Sequence, residues 1–290
     1  MLEMAEDWTI LEEDGVTVEH YTSPGGEKLR LLIMVPEAAE DGASRPCLLF
    51  IHGGGFTGGS AEMLLPQCRY FRKRGYVCVS ADYRLLAREE ETPAAGGFAL
   101  EDSIADCKAA LRYVRKNAGR WKADPHRIAL VGESAGGYLA CAVTALSALE
   151  APGADRSVSC VPDLLVAYNP ITQLLGRWKM SVRQAALCGA DDPAGRWLAR
   201  HHRARSLSPL CHLTAQHPAA LVIHGLEDTV VPPEDGVEYA EQLRRLGVNT
   251  RLELLPDSKH AFALCKYTAS DEEIVRTLEL TADFLSSQWK

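Results

Sequence analysis

The chain has 290 residues, 47% of them hydrophobic, and a net charge of −8. That is enough apolar material for one large α/β domain spanning residues 1–290. The acidic balance argues against nucleic acid as a partner and weakly against strongly anionic substrates. No apolar run reaches membrane-spanning length, and the start is acidic and amphipathic rather than basic and apolar like a signal sequence. The nine cysteines include no Cys-x-x-Cys pair. Cys47, Cys78, Cys107 and Cys141 sit in apolar strand or helix patterns. They read as reduced core residues of a cytoplasmic protein, not as bridges or metal ligands.

In chain order, Thr17 to Tyr21 and Lys28 to Val35 read as opening strands, and Cys47 to Ile51 as a buried one. A helix is expected over Glu62 to Arg74, then a strand from Tyr76 to Ala81. Asp102 to Asn117 is helical, with Ile104, Cys107, Leu111 and Val114 forming one apolar stripe. Arg127 to Val131 is a buried strand followed by a small-residue helix, and Asp163 to Tyr168 is the next strand. Leu221 to Gly225 follows as a strand, then a helix over Glu234 to Leu246 stopped by Gly247. Arg251 to Leu255 alternates as an edge strand does. Ile274, Leu278, Ala282, Leu285 and Trp289 mark a final amphipathic helix. Such alternation builds a mostly parallel sheet covered on both faces.

The chemistry concentrates at four strand ends. Gly132-Glu133-Ser134-Ala135-Gly136 joins a strand to a helix, and glycines on both sides suit a sharp turn that lifts one hydroxyl above a sheet. The bland alternative is a plain Gly-Ser turn. His52-Gly53-Gly54-Gly55-Phe56 follows another strand. The N–H groups of Gly54, Gly55 and Ala135 could hold the oxyanion of a tetrahedral intermediate. Gly53-x-Gly55-x-x-Gly58, with Asp82 ending the next strand, also matches a dinucleotide fingerprint. That reading leaves the serine turn unexplained, and Pro66 disturbs the helix it requires. Asp228 and His260 each lie just past a strand, in the chain order serine, acid, histidine. An imidazole titrates near neutral pH and can take a serine proton, while a carboxylate on its other nitrogen fixes the tautomer. Glu227 is the rival acid. His52 is expected to anchor the glycine loop; His212, His217 and His224 are expected to be structural or surface residues.

These segments, with Asp82-Tyr83-Arg84-Leu85, Asp124-Pro125-His126-Arg127-Ile128 and His260-Ala261-Phe262, resemble the α/β-hydrolase esterases. They are similar to the hormone-sensitive-lipase-like and acetyl-xylan/feruloyl-esterase-like branches, from about residue 28 onward. The resemblance implies an eight-stranded sheet, a Ser134–His260–Asp228 triad and no cofactor. The lipase-like branch usually has a long helical cap before the glycine loop. Here only about fifty residues precede His52, reading as two strands. Tyr168-Asn169-Pro170-Ile171-Thr172 and Leu207-Ser208-Pro209-Leu210 look more like the carbohydrate acetylesterases.

The stretch 173–205 is a short insertion rich in arginine. Trp178 and Trp197 within it, with Tyr168 and Phe56, are candidates to wall an acyl pocket or stack on a sugar ring. The alternative is that the aromatics pin the insertion to the domain. Arg196, Arg200, His201, His202, Arg203 and Arg205 read as a solvated helix face. The expected function is a serine carboxylesterase acting on short acyl esters, acetyl foremost, of a sugar or xylo-oligosaccharide. An arylformamidase on the same machinery is the alternative, and a non-catalytic binding protein would have no need of all three triad residues.

Overall fold

The computed structural model describes residues 15–37, 43–86, 99–174, 202–265 and 267–289. Eight strands form one sheet in the order β1-β2-β4-β3-β5-β6-β7-β8. These are β1 (Val16–Thr22), β2 (Lys28–Met34), β3 (Arg45–Ile51), β4 (Val77–Ala81), β5 (Ala123–Glu133), β6 (Leu164–Tyr168), β7 (Ala219–Gly225) and β8 (Thr250–Leu255). β1 and β2 run antiparallel to each other and β2 antiparallel to β4, while the other six strands run parallel.

Helices cover both faces, so the central strands are apolar throughout rather than alternating; all five residues of both β4 and β6 are buried. On one face, α2 (Leu100–Asn117), α3 (Ala135–Ala145) and α4 (Pro233–Arg245) pack Ile104, Leu111, Leu139 and Tyr239 against Leu49, Leu130 and Val222. On the other, α1 (Leu65–Arg72) and α5 (Asp271–Gln288) pack Phe71, Leu278 and Phe284 against Phe50, Val166 and Ile223. The capping box expected of a strong helix start is present at α5, where Ser270 and Glu273 bond reciprocally.

Two element readings need correction. The helix expected over Glu62 to Arg74 is a 3-10 turn (Ala61–Leu64) followed by α1. Pro66 lies in the first turn of α1, where its missing N–H costs nothing, so it restarts the helix rather than breaking it. The strand before the serine begins at Ala123, not Arg127, because Ala123 pairs with Arg45 before a register shift.

The insertion at 173–205 is described only at its two ends. These ends are tied together: Leu174 N–H donates to Ser208 Oγ at 2.9 Å, and Leu210 N–H to the Thr172 carbonyl at 3.1 Å. Tyr138 of α3 donates its hydroxyl to the Leu207 carbonyl at 2.8 Å, fastening the returning end to the helix behind Ser134. Arg203, expected on a solvated face, pairs with Glu101 at 2.9 Å. Trp178 and Trp197 lie outside the described residues. No described helix is long and apolar enough to cross a membrane.

Candidate active site

β5 and α3 meet at Ser134, whose backbone takes φ 53° and ψ −115°, a conformation that L-residues rarely adopt. The turn closes only because its flanks are bare. A Cβ on Gly132 would strike the Gly136 carbonyl, and one on Gly136 would strike the backbone of Ile51 and His52. Ser134 N–H is held by the Tyr168 carbonyl at 3.0 Å, across from the neighbouring strand. The hydroxyl is thereby presented beside the N-terminus of α3, where the Ala135 N–H also lies.

From that hydroxyl a chain of hydrogen-bond contacts runs through three side chains. Ser134 Oγ lies 2.8 Å from His260 Nε2. His260 Nδ1 lies 2.7 Å from Asp228 Oδ2. The second carboxylate oxygen accepts the N–H groups of Val230 (2.8 Å) and Val231 (2.9 Å). Burial alone would push the Asp228 carboxyl up, but bonds from His224 and His260, the charge of His260 and the Val231 N–H outweigh it. Asp228 is held well below the ordinary carboxylate range. It is therefore an anion across the neutral range, able to orient the imidazole and stabilise its cation. Glu227, the rival acid, is exposed, whereas Asp228 is buried against both histidines.

The glycine loop sits over the end of β3. Gly54 and Gly55 take φ of 112° and 61°, and the loop folds back through Gly58 N–H to the Gly54 carbonyl at 3.0 Å. His52 is buried, stacks on Tyr83 at 4.4 Å between ring centroids and bonds the Gly53 carbonyl through Nδ1 at 2.7 Å. Burial pushes its pKa down, so it is a neutral anchor, as expected. The dinucleotide reading fails here. The chain after Gly58 enters the 3-10 turn at Ala61, and the Asp82 carboxylate is bound to Arg30 Nε (2.6 Å) and Ala61 N–H (2.7 Å).

Two aromatic candidates are reassigned. Tyr168 projects into the core on the α5 side of the sheet, where its hydroxyl meets Thr281 Oγ1 at 2.8 Å. Its contribution to the site is its backbone carbonyl. Phe56 is buried edge-on against Tyr138, with 5.4 Å between ring centroids, and accepts Leu86 N–H on its carbonyl. Both are packing residues, not ligand platforms.

Two participants were missed by sequence reasoning. His224, expected to be merely structural or superficial, is fully buried, bonds the Val231 carbonyl through Nε2 at 3.0 Å, and places that nitrogen 3.4 Å from Asp228 Oδ2. Asn169, one residue past β6, is fully buried beside His260 at φ 36°. The only sequence signal for it is that asparagine tolerates left-handed backbone at a strand end. Among the described residues no cluster of three or more His, Cys, Asp or Glu could hold a metal ion.

A mostly parallel eight-stranded sheet with a strained serine between a strand and helix defines the α/β-hydrolase fold. Residues 31–243, well over half of the chain, match the BD-FAE family model. The chain belongs to the BD-FAE family. It is similar to the propionate-bound thermophilic esterase Est2 of Thermogutta terrifontis, with 29% identity, a TM-score of 0.79 and 95% of each chain covered. It is also similar to esterases LipQ and LipC of Mycobacterium tuberculosis. Identity to LipQ is 27% over 90% of this chain and 60% of the relative. Identity to LipC is 30% over 76% of this chain and 53% of the relative. The chain thus spans little more than half the length of these curated relatives.

Proposed function

We propose that the protein is a serine carboxylesterase acting through an acyl-enzyme on short-chain esters, and that its natural substrate is an acetylated sugar or xylo-oligosaccharide. The observation that carries the reading is the unbroken relay from Ser134 through His260 to Asp228, with contacts of 2.8 and 2.7 Å. Ser134 Oγ attacks the ester carbonyl carbon while Nε2 of His260 takes its proton. The N–H groups of Gly54, Gly55 and Ala135 receive the oxyanion. The C–O bond then breaks, His260 returns the proton to the departing alcohol, and water repeats the sequence on the acyl-enzyme.

The short-acyl assignment draws support from the Thermogutta esterase, whose solved forms include propionate-bound and butyrate-bound ones. The sugar-ester assignment rests on the resemblance to carbohydrate acetylesterases. The partner is thus a small-molecule or oligosaccharide ester. The free state of all eight described cysteines is in keeping with a cytoplasmic location.

The test is initial-rate hydrolysis of acetyl, butyryl and octanoyl p-nitrophenyl esters and of an acetylated xylo-oligosaccharide, by wild type and Ser134→Ala. We expect acetyl to lead among the nitrophenyl esters, acetate release from the oligosaccharide, and loss of about 10⁴-fold or more in kcat for the variant. A clear octanoate preference refutes the short-acyl assignment. An inert oligosaccharide refutes the sugar assignment, and full activity in the variant refutes the nucleophile.

A further inference from the structure

Two buried polar side chains lie directly behind the relay with no role so far. Glu133 precedes Ser134 at the end of β5 and is 1% exposed. Its Oε1 accepts Asn169 Nδ2 at 3.1 Å. Its Oε2 has no hydrogen-bond partner and lies against the oxyanion loop, since a Cβ built on Gly53 would collide with it. Asn169 is pinned by its own N–H to the Ile223 carbonyl of β7 at 2.8 Å. The same Nδ2 that serves Glu133 stands 3.4 Å from His260 Nδ1.

That last contact is a stop rather than a bond. His260 gives its Nδ1 proton to Asp228, so an amide N–H of Asn169 meets another donor. The ring is therefore discouraged from turning away from Asp228 toward Asn169. The Glu133 carboxyl is the buried group beneath this pair. The titratable groups that act on it or feel it are His260, Asp228 and Tyr83, from the loops after β8, β7 and β4, and burial pushes its pKa up. What it supplies is reach: one side chain touches the loop that carries Gly54 and Gly55 and the amide that backs the imidazole.

We propose that Glu133 is a positioning residue which, with Asn169, holds the oxyanion loop and the His260 imidazole in one register. This rests on the reading of Ser134 and His260 as nucleophile and base. Glu133→Asp, one methylene shorter, cannot underlie Gly53 and meet Asn169 at once. Glu133→Gln keeps the length and the acceptor oxygen.

Kinetics on p-nitrophenyl acetate and the rate of Ser134 labelling by a fluorophosphonate test this together, with thermal unfolding as the folding control. For Glu133→Asp we expect kcat to fall about 10- to 100-fold with KM within about twofold, as misplacement of catalytic groups by under an ångström or so predicts. Glu133→Gln should restore kcat to within about fivefold of wild type. Asn169→Ala should lose about tenfold in kcat, and adding it to Glu133→Asp should cost little more, because the two act as one support. A Gln variant as impaired as the Asp variant would make charge, not reach, the contribution and overturn the proposal. So would a loss confined to KM or fully additive effects. If Glu133→Asp does not fold, the Gln and Asn169→Ala variants decide by the same criteria. The labelling separates the two readings. A wild type that labels at Ser134 without ester turnover refutes the esterase, and the labelling rates of the variants still judge Glu133. A wild type that does not label refutes both.

Discussion

Replacing Asp228 by asparagine keeps size and shape and changes one atom, and the structure dictates how the new amide must sit. Oδ1 of Asp228 accepts two backbone N–H groups, from Val230 at 2.8 Å and Val231 at 2.9 Å. The substituted side chain can satisfy both only by leaving its oxygen there and turning its NH2 toward His260. A donor then faces Nδ1, so the ring carries its proton on Nε2 and cannot accept one from Ser134. The NH2 also confronts His224 Nε2, which already bonds the Val231 carbonyl at 3.0 Å. The competent orientation requires the amide to flip, stranding the N–H of buried Val231 and of exposed Val230. One buried and one half-solvated donor cost together about 2–4 kcal/mol. At about 1.4 kcal/mol per tenfold in rate, kcat should fall about 30- to 10³-fold, with KM little changed. The assay is steady-state hydrolysis of p-nitrophenyl acetate, beside a melting curve to show that the variant is folded. A folded variant losing less than about tenfold refutes the reasoning, because the carboxylate would then not set the tautomer.

Two further outcomes concern the scaffold. Lys108 is buried and donates Nζ to the carbonyls of Leu146 (2.7 Å), Ser147 (3.4 Å) and Leu149, just past the C-terminus of α3. Lys108→Met should therefore lower unfolding stability by about 2–4 kcal/mol, read from the denaturant midpoint at unchanged slope; a shift below about 0.5 kcal/mol would show that those carbonyls do not need it. His217 is buried, and burial pushes its pKa down to about 4 from 6.5, although the bond to the Pro218 carbonyl opposes the shift. The unfolded chain then binds more protons between those values, so stability is full above pH 6.5 and declines as pH falls toward 4, by about 3 kcal/mol for this group alone. His217→Gln should flatten the decline of Tm over that window; parallel wild-type and variant curves would refute the assignment.

How much of this was legible from residues alone follows from how local each signal is. The serine turn, the glycine loop, Asp228 and His260 each stand at the end of an apolar run. A strand end fixes which rim of a parallel sheet a residue occupies, so their convergence could be inferred without coordinates. The face a side chain takes was not legible in the same way. In β6 every residue is buried, so no alternation distinguishes the α3 side from the α5 side. Tyr168 is therefore open to both a pocket role and a packing role from sequence, and it shares the α5-side core with Leu164 and Val166. Phe56 misled similarly: following the glycine loop in sequence says nothing about whether a ring turns outward or, as here, onto Tyr138. His224 is read correctly into its strand, but its contacts with Val231 and Asp228 depend on how the following loop folds back, and Asn169 meets Glu133 and His260, which belong to other strands and their loops.

Backbone strain marks the same region by an independent route. Five non-glycine residues among those described have positive φ: Phe56, Lys122, Ser134, Asn169 and Ala261. Lys122 merely ends a 3-10 turn. The other four are Phe56 after the glycine loop, Ser134 at the strand–helix turn, Asn169 beside the His260 imidazole and Ala261 directly after His260. Each such residue costs on the order of 1–3 kcal/mol, and such costs persist only where the surroundings over-determine the conformation. The surroundings here are tightly closed. Gly132 lies against the Gly136 carbonyl, Gly136 against the backbone of Ile51 and His52, and Gly137 against Tyr168 and Pro170. β3, β5, β6 and α3 thus approach at backbone contact directly under the strained residues. The pattern Gly-x-Ser-x-Gly-Gly is accordingly a packing requirement before it is a catalytic one. The glycines let four elements close on one point, and that closure is what holds a serine at φ 53° with its hydroxyl 2.8 Å from an imidazole.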